Sequence, residues 1–496
     1  MNRIKAERLR TLILFVASGA LGACASMQGL LPSTPQREAG ALHAEHSLAD
    51  ITLSNAAWPA SDWWRALGDP QLDALIDEAL SGNPSLEAVD ARTRLALAQA
   101  DTADAAQKPT VGAGVGASGI RIPESVVAPP IGGGYSTLYR ATINFDYGLD
   151  LWGGKRAAWE AAVDRAHASE VDAQAARVVL SGNVARAYGD LASAFTIFDV
   201  AQSELDRATG VRKLTDQRVR AGVDSVLQFK QADARVPAAR QQMAAAQLDI
   251  ARARSALAGL LGAGPDRGLA IERPKMLKTV ALELPSRLPA DLLGRRADIV
   301  AARWRVEAAS RDIDVAKAAF YPNVDLTAAV GLASLGLSNF LTAQSRYYQV
   351  APALSLPIFD GGRLRSGLST RDAQRDLAVA DYNQRLVSAL RNVADAITAM
   401  RSFDEQVAAS NEAAATTRAA YDLAMQRYNG GIGNYLEALS VQQALLVAEQ
   451  QATRLRAQRT DAGIELVQAL GGGYQPDSHD NALRERASSI STETSP

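Results

Sequence analysis

Two proline-free stretches, residues 153–217 and 361–429, dominate this 496-residue sequence. Globular helices average only three or four turns, whereas a helix over either stretch would be about 100 Å long. Within the first stretch, apolar and small residues recur at alternating spacings of three and four from Val184 to Ala208, which is the pattern of a coiled-coil seam. We therefore predict long helices that pack along one another rather than around one compact core.

Composition and charge exclude several classes of protein. The chain has 52 Lys and Arg against 54 Asp and Glu, so no excess of positive charge points to a nucleic-acid partner. Its single cysteine excludes a disulfide framework. Because no nucleophile–base grouping or set of metal-ligand residues stands out, we expect neither an enzyme nor a bound cofactor or metal ion.

The N-terminus has the pattern of a secretion signal. Residues 1–23 combine a basic start, a short apolar run and the small residues Gly22 and Ala23, and Cys24 follows directly. This arrangement resembles a bacterial lipoprotein signal, which implies cleavage before Cys24 and a covalent lipid on it, S-diacylglycerol with N-palmitoyl. By the same resemblance, the absence of Asp after the cysteine implies sorting to the outer membrane. The alternative is an ordinary signal peptide with a chance cysteine.

One sequence signature occurs twice. Residues 217–227 match residues 426–436 at an offset of 209, and other signatures recur in the same order at offsets close to this one. Such an order indicates a tandem duplication. We predict two repeats, 70–262 and 290–471, joined by the segment 263–289, which glycine and proline interrupt.

Each repeat follows one plan of a helix, two strands, a very long helix, a turn and a further helix. In the first repeat, the predicted elements are a helix over 70–107, strands over 110–120 and 138–150, the long helix over 153–217 and a helix over 224–261. In the second, they are a helix over 291–320, strands over 322–332 and 347–358, the long helix over 361–429 and a helix over 434–470. Outside the repeats lie an N-terminal segment, 24–69, and a tail, 472–496, predicted to be disordered.

The predicted strands alternate apolar and polar residues. Apolar residues occupy every second position over 141–149 and 324–332, so each strand has one apolar and one polar face. Runs of about ten residues match tilted membrane-spanning strands, but four strands cannot close a barrel. Three copies of the chain supply twelve strands and a water-filled lumen, whereas two supply eight and a filled interior. The predicted fold is an α+β membrane protein, a trimeric 12-stranded β-barrel continued by an α-helical barrel; the alternative is a soluble sandwich with one hydrated face.

Five further motifs are Trp63–Leu72, Asn83-Pro84, Arg295–Ile299, Ala319–Pro322 and Leu356–Gly362. Together they resemble the outer membrane factor family, the TolC-like or NodT proteins, in its lipoprotein branch. The resemblance covers essentially the whole mature chain. It implies a homotrimer in the outer membrane that extends into the periplasm, with an equatorial region formed by the chain ends and the linker 263–289. It also implies an exit channel for small molecules in a tripartite efflux system, with a periplasmic adaptor and an inner-membrane RND-class transporter as partners.

The resemblance places both repeat turns at the periplasmic tips, where family members close by iris-like packing and contact the adaptor. Leu436 matches a leucine that narrows the pore, whereas Ser440 replaces an aspartate often found in pump-type members. For the glycine and arginine of each turn, the alternative is an ordinary helix cap beside a solvated side chain. The candidate gate and adaptor residues are Arg218, Gly222, Arg427, Gly431, Leu436 and Ser440.

Two other functions stay open. One is a type I protein-secretion conduit within the same family, and the other is a lipid-anchored periplasmic coiled-coil scaffold without a pore. The lipid anchor and the segment Arg295–Ile299 favour small-molecule efflux over protein secretion.

Overall fold

The computed structural model of the chain describes residues 33–37, 53–54, 58–130, 132–275, 277–278, 284–285 and 294–476. These residues form two compact units, one built mainly from Thr93–Ser169 and Ala302–Tyr382, the other mainly from Glu170–Ala301 and the chain from Asn383 onwards. The predicted signal peptide, Cys24 and the part of the predicted tail beyond residue 476 lie outside the described residues.

The first unit contains a four-stranded antiparallel sheet. Its order follows the chain, with β1 Thr110–Arg121, β2 Tyr135–Leu149, β3 Asn323–Ser334 and β4 Arg346–Ser355. β2 begins at Tyr135, earlier than predicted, and β4 ends at Ser355, three residues before its predicted end; β4 includes Pro352, which an edge strand tolerates. Within the described part of the chain, β1 and β4 each pair with a single neighbouring strand, so both are edge strands of this sheet.

The pairing register sorts the side chains of the sheet by polarity. Ile143 lies opposite Val330, and Val330 lies opposite Tyr348, so their side chains share one face. The opposite face presents the alternate residues of the same strands, including Asn144 and Gln349. The alternation seen in the sequence therefore becomes one apolar face and one more polar face.

Long helices account for most of the remaining chain. The helices Gly154–Arg220 and Arg363–Asn429 each contain 67 residues, and Val226–Leu260 and Tyr435–Ala469 each contain 35. Short helices cover Trp63–Leu67, Pro265–Leu269 and Ala343–Ser345, and Leu53–Ser54 pairs in parallel with Leu284–Pro285. The long helices and their bounds are α1 Pro70–Gly82, α2 Pro84–Ala105, α3 Gly154–Arg220, α4 Val226–Leu260, α5 Ala297–Ala318, α6 Arg363–Asn429 and α7 Tyr435–Ala469.

The helix predicted over 70–107 is divided at Asn83. Pro84 starts the second helix, because proline disfavours helical geometry in the residue before it. The Asn83 side chain accepts a hydrogen bond from Ser85 N at 2.8 Å and donates one to Leu260 O at 2.7 Å. The break thereby ties α1 and α2 to the end of α4.

The main apolar core of the second unit surrounds α1. Leu72, Tyr188, Leu257 and Ile464 are all fully buried there, which brings α1, α3, α4 and α7 together. A second cluster joins α6 to α7 through residues that include Met400 and Leu466.

All four strands connect to helices at the same end of the sheet. β1 follows α2 and β3 follows α5, whereas β2 leads into α3 and β4 into α6. The loops 122–134 and 335–345 join the strands at the opposite end. Among the described residues, none of the helices combines the length and the apolar character required to cross a membrane.

Candidate functional site at the paired helix turns

Two turns with the same backbone join the long helices to the shorter ones. Turn 1, residues 221–225, joins α3 to α4, and turn 2, residues 430–434, joins α6 to α7. Gly222 and Gly431 both have φ of +76°, a left-handed conformation that only glycine adopts readily. In turn 1 Val223 N donates to Arg218 O at 2.9 Å, and the equivalent bond in turn 2 runs from Ile432 N to Arg427 O at 3.0 Å.

Each turn ends in a side-chain cap on the next helix. Ser225 accepts a hydrogen bond from Gln228 N at 3.3 Å, and the Gln228 side chain accepts one from Ser225 N at 2.6 Å, which forms a capping box. Asn434 accepts a hydrogen bond from Glu437 N at 2.8 Å. These caps satisfy backbone donors at the helix starts and fix where α4 and α7 begin.

Arg218 connects the two turns. Its Nε donates to Asp224 Oδ2 at 2.9 Å and its Nη2 to Asp224 Oδ1 at 3.3 Å, in a bidentate pair within turn 1. Its Nη1 donates to Tyr428 O, at the end of α6, at 2.9 Å. The guanidinium also lies 4.5 Å from the centre of the Tyr428 ring. Arg218 and Asp224 are 14% and 6% exposed, so little solvent screens this pair.

Tyr428 completes a buried network with Asp224. Its hydroxyl donates to Asp224 Oδ2 at 2.6 Å and shares a hydrogen bond with Thr215 Oγ1 at 2.9 Å. Burial and the hydrogen bond to Asp224 raise the pKa of Tyr428 to about 12. Burial acts to raise the pKa of Asp224 as well, but the hydrogen bonds from Arg218 and Tyr428 and the charge of Arg218 outweigh it, so that pKa lies below its ordinary value. Asp224 is therefore ionised and Tyr428 neutral at physiological pH.

An apolar cluster lies behind this network. Tyr428 and Tyr435 are fully buried, with ring centres 6.4 Å apart, and pack with Val211, Ala232 and Ala438. The cluster takes residues from α3, α4, α6 and α7, so it holds the ends of both helix pairs together.

The predicted site residues divide between two environments. Arg218 and Gly431 come together, since a Cβ on Gly431 would lie 3.9 Å from Arg218 Nη1. Arg427 instead forms a loose ion pair with Glu437 at 3.6 Å, and both side chains are about half exposed. The Ser440 hydroxyl donates to Glu437 O at 2.9 Å.

Sequence reasoning did not single out Asp224 and Tyr428. Both lie inside the quoted repeat signatures, and the position equivalent to Asp224 in the second repeat is Gly433. This difference between the repeats is a usable sequence signal. An aspartate in turn 1 at the position where turn 2 has glycine indicates that the aspartate has a partner in the second turn.

Large apolar side chains are exposed around both turns. Leu436 is 62% exposed and Ile432 is 76% exposed. Several exposed apolar side chains at one pair of turns favour a contact with another protein. The exposed apolar residues at the turns are Val223, Val226, Leu227, Ile432 and Leu436.

A second ionic cluster joins the helices away from the turns. Arg207 Nε donates to Glu204 at 3.2 Å and its Nη2 to Glu449 at 3.0 Å, and Gln442 donates to Glu204 at 2.7 Å. Arg418 also pairs with Glu449. Burial raises the pKa of Glu204 against the opposing charge of Arg207. The cluster links α3, α6 and α7.

A carboxyl group with an unusual pKa lies on α7. Burial, together with the negative charge of Asp190 on α3, raises the pKa of Asp461 to about 7, although Arg186 opposes the shift. Burial also raises the pKa of Asp190. Within the part of the chain that the structure describes, no group of three or more His, Cys, Asp or Glu side chains is placed to hold a metal ion.

Known proteins similar to this chain in sequence and fold are outer-membrane channels and efflux proteins. The sequence model of the outer membrane efflux protein family matches residues 75–263 and 288–472. The chain is 39% identical over 366 residues to the fusaric acid resistance protein FusA of Burkholderia cepacia, covering 73% of this chain and 69% of FusA. It is 34% identical over 437 residues to the multidrug resistance outer membrane protein MdtP of Escherichia coli, covering 86% and 89%.

Solved structures agree with this assignment. The outer membrane protein VceC from Vibrio cholerae matches with a TM-score of 0.78 and 33% identity, covering 84% of this chain and 100% of VceC. The outer-membrane channel OprN matches with a TM-score of 0.81 and 29% identity, covering 90% and 100%. The family predicted from the motifs is thus confirmed: the chain belongs to the outer membrane efflux proteins and is an outer-membrane exit channel for efflux.

Proposed function

We propose that three copies of the chain form the exit channel of a tripartite RND-class efflux system, conducting small molecules from a periplasmic pump complex to the exterior. The proposal rests on one observation: the sheet of this outer membrane efflux protein has two edge strands, β1 and β4. Unpaired strand edges in a membrane leave backbone N–H and C=O groups unsatisfied, at a cost of several kcal/mol each. β1 of one copy and β4 of the next would satisfy each other, and three copies would close a 12-stranded barrel with an open lumen.

The polarity of the sheet supports one orientation. Its apolar face would contact lipid, and its more polar face would line the lumen. Because all strands connect to helices at one end, the helices would extend together into the periplasm as an α-helical barrel. The loops 122–134 and 335–345 would then lie at the cell exterior.

The paired turns would be the periplasmic gate and the adaptor contact. Their exposed apolar side chains would pack against other copies when the gate closes and against an adaptor when it opens. The buried Arg218–Asp224–Tyr428 network would hold the two turns of one copy as a unit. Leu436 would narrow the pore, and Ser440, being uncharged, would not supply a charged ring at its level.

Two further features complete the proposal. The equal lengths of α3 and α6 and of α4 and α7, with the two matched segments of the family model, support a tandem duplication. Cys24 would carry S-diacylglycerol and N-palmitoyl and anchor the mature N-terminus in the outer membrane.

The names of the relatives favour small molecules as cargo. FusA is named for fusaric acid resistance, MdtP for multidrug resistance and TtgF for a toluene efflux pump. Neither a protein-secretion conduit nor a scaffold without a pore has a counterpart in these names.

The test combines assembly with conductance. The full chain in mild detergent is expected to crosslink as a trimer and to give single-channel conductance in planar bilayers, with larger openings in Arg218→Gln, which loosens the turns. Deletion of the gene is expected to increase drug sensitivity. A monomer that conducts nothing, even as Arg218→Gln, would overturn the proposal.

A further inference from the structure

The apolar face of the sheet has an uneven distribution of charge. The pairing register places Arg121 opposite Tyr135, and Arg346 opposite Leu332, on this face. Across the four described strands, these two arginines are the only charged residues at its register positions. The opposite face instead carries both signs, with Arg140, Asp146 and Asp325 at its positions.

Both arginines stand at the loop end of their strands. Arg121 is the last residue of β1, and Arg346 is the first residue of β4. The exposed Tyr135 and Tyr348, 84% and 88% exposed, occupy the same face near them. Tyrosines collect at membrane–water interfaces because the ring is apolar and the hydroxyl is polar. In the proposed orientation, the charge lies where the apolar face would meet the headgroup layer.

Among the residues that the structure describes, neither arginine has a carboxylate partner. Arg346 is exposed and forms no ion pair with any residue that the structure describes. Arg121 uses its Nε to donate to Gly133 O at 3.2 Å, and within the described chain it also lacks a carboxylate partner. Guanidinium groups bind phosphate oxygens through paired N–H donors.

An apolar groove adjoins Arg346. It has a volume of about 600 Å³ and is lined by side chains that include Val115, Ile143, Val330, Arg346 and Tyr348. A cation at the rim of an apolar groove matches a molecule with an anionic head and an acyl chain.

We propose that Arg121 and Arg346 bind the phosphate groups of an outer-leaflet phosphorylated glycolipid, with an acyl chain of that lipid in the groove beside Arg346. The inference rests on the proposed function, since it takes the loop end of the sheet to be the outer end. Charge complementarity selects the occupant: the face is apolar along the strands, and the charged residues at its register positions are the two arginines at the loop end. A zwitterionic phospholipid satisfies this arrangement less well than a lipid whose phosphates carry net negative charge.

The test measures lipid binding to the full chain in nanodiscs of zwitterionic phospholipid. Diphosphorylated lipid A is the probe, and dephosphorylated lipid A and inorganic pyrophosphate are the comparison ligands. Arg121→Gln and Arg346→Gln are each expected to weaken binding of diphosphorylated lipid A about fivefold, the effect of about 1 kcal/mol per arginine near an anionic headgroup. Arg140→Gln, which removes the same charge from the opposite face of β2, is the matched control and is expected to leave binding unchanged.

Three outcomes would overturn the inference. They are equal binding of phosphorylated and dephosphorylated lipid A, an equal loss in Arg140→Gln, and competition by pyrophosphate at the concentrations at which lipid A binds. Arg346→Lys, which keeps the charge, is expected to retain most of the binding and guards against a general folding defect. Labelling of the loop 335–345 in intact cells separates the two proposals. An inaccessible loop contradicts the proposed function, whereas an accessible loop without lipid binding contradicts only this inference.

Discussion

The duplication supplies a matched pair of arginines for testing the turn network. Arg218 and Arg427 occupy equivalent positions 209 residues apart and accept the same backbone hydrogen bond. Arg218 is buried against Asp224, whereas Arg427 is about half exposed and lies 3.6 Å from Glu437. Replacing each with Gln therefore removes the same charge from two different environments.

The structure predicts very different costs for the two substitutions. Arg218→Gln leaves the largely enclosed carboxylate of Asp224 without its cation, and losing charge-assisted hydrogen bonds of this kind costs about 2–3 kcal/mol. Arg427→Gln removes an exposed pair worth less than about 1 kcal/mol. The opening equilibrium of the turns should thus differ by about thirtyfold between the variants.

Hydrogen exchange at Val223 and Ile432 reports on the two turns separately, because each amide makes the equivalent backbone bond. Arg218→Gln should speed exchange at both amides, since Arg218 also binds Tyr428 O, whereas Arg427→Gln should change Ile432 slightly and Val223 not at all. Unchanged trimer content and helical circular dichroism would show that folding is intact. Equal acceleration in the two variants, or none in Arg218→Gln, would refute the reasoning.

Four further predictions concern separate features. Gly222→Ala places a Cβ in open space but at φ of +76°, so the turn should lose about 1 kcal/mol, measurable as faster exchange at its amides. The pKa of Asp224 is lowered in the folded protein, so its ion pair stabilises the turns fully above pH 3.8, the ordinary pKa. That stabilisation is lost as pH falls through the lowered pKa, and because the turns then loosen, channel conductance should rise in that acidic range. Because the pKa of Asp461 is raised from 3.8 to about 7, stability should fall as pH rises between these values. Asp461→Asn should reduce that fall by about 2 kcal/mol after solvent screening, in thermal melts at pH 5 and 8, and the raised pKa of Asp190 should account for part of the remainder. Cys24→Ser should remove the lipid mass from the mature protein in mass spectrometry; an unchanged mass would place the modification elsewhere.

The repeat turns and the strands follow closely from the sequence. A glycine at the same place in two matching signatures predicts a left-handed helix end, and Gly222 and Gly431 have that conformation. Strict alternation predicts a strand with two unlike faces, because side chains point to opposite sides at successive residues. Both signals are local, so the sequence shows them directly.

Contacts between distant residues could not be predicted in the same way. Asp224 and Tyr428 are 204 residues apart, and no local pattern states that one will donate to the other. A glutamate on a long helix, such as Glu204, has the same local sequence signal whether it faces water or a buried arginine. Arg346 lies one residue before the predicted start of its strand, so the sequence did not assign it to a face.

The equal helix lengths have a consequence for how the gene can change. One residue inserted into α3 alone would move turn 1 by about 1.5 Å and rotate the following residues by about 100°. The bond from Arg218 to Tyr428 O, at 2.9 Å, does not tolerate such a displacement. Insertions and deletions should therefore survive only as matched changes in α3 and α6 and in the helices that follow their turns, α4 and α7. Each change should be a step of about seven residues, because that length restores the packing seam. Members of different length should consequently differ by paired segments, one in each half of the gene.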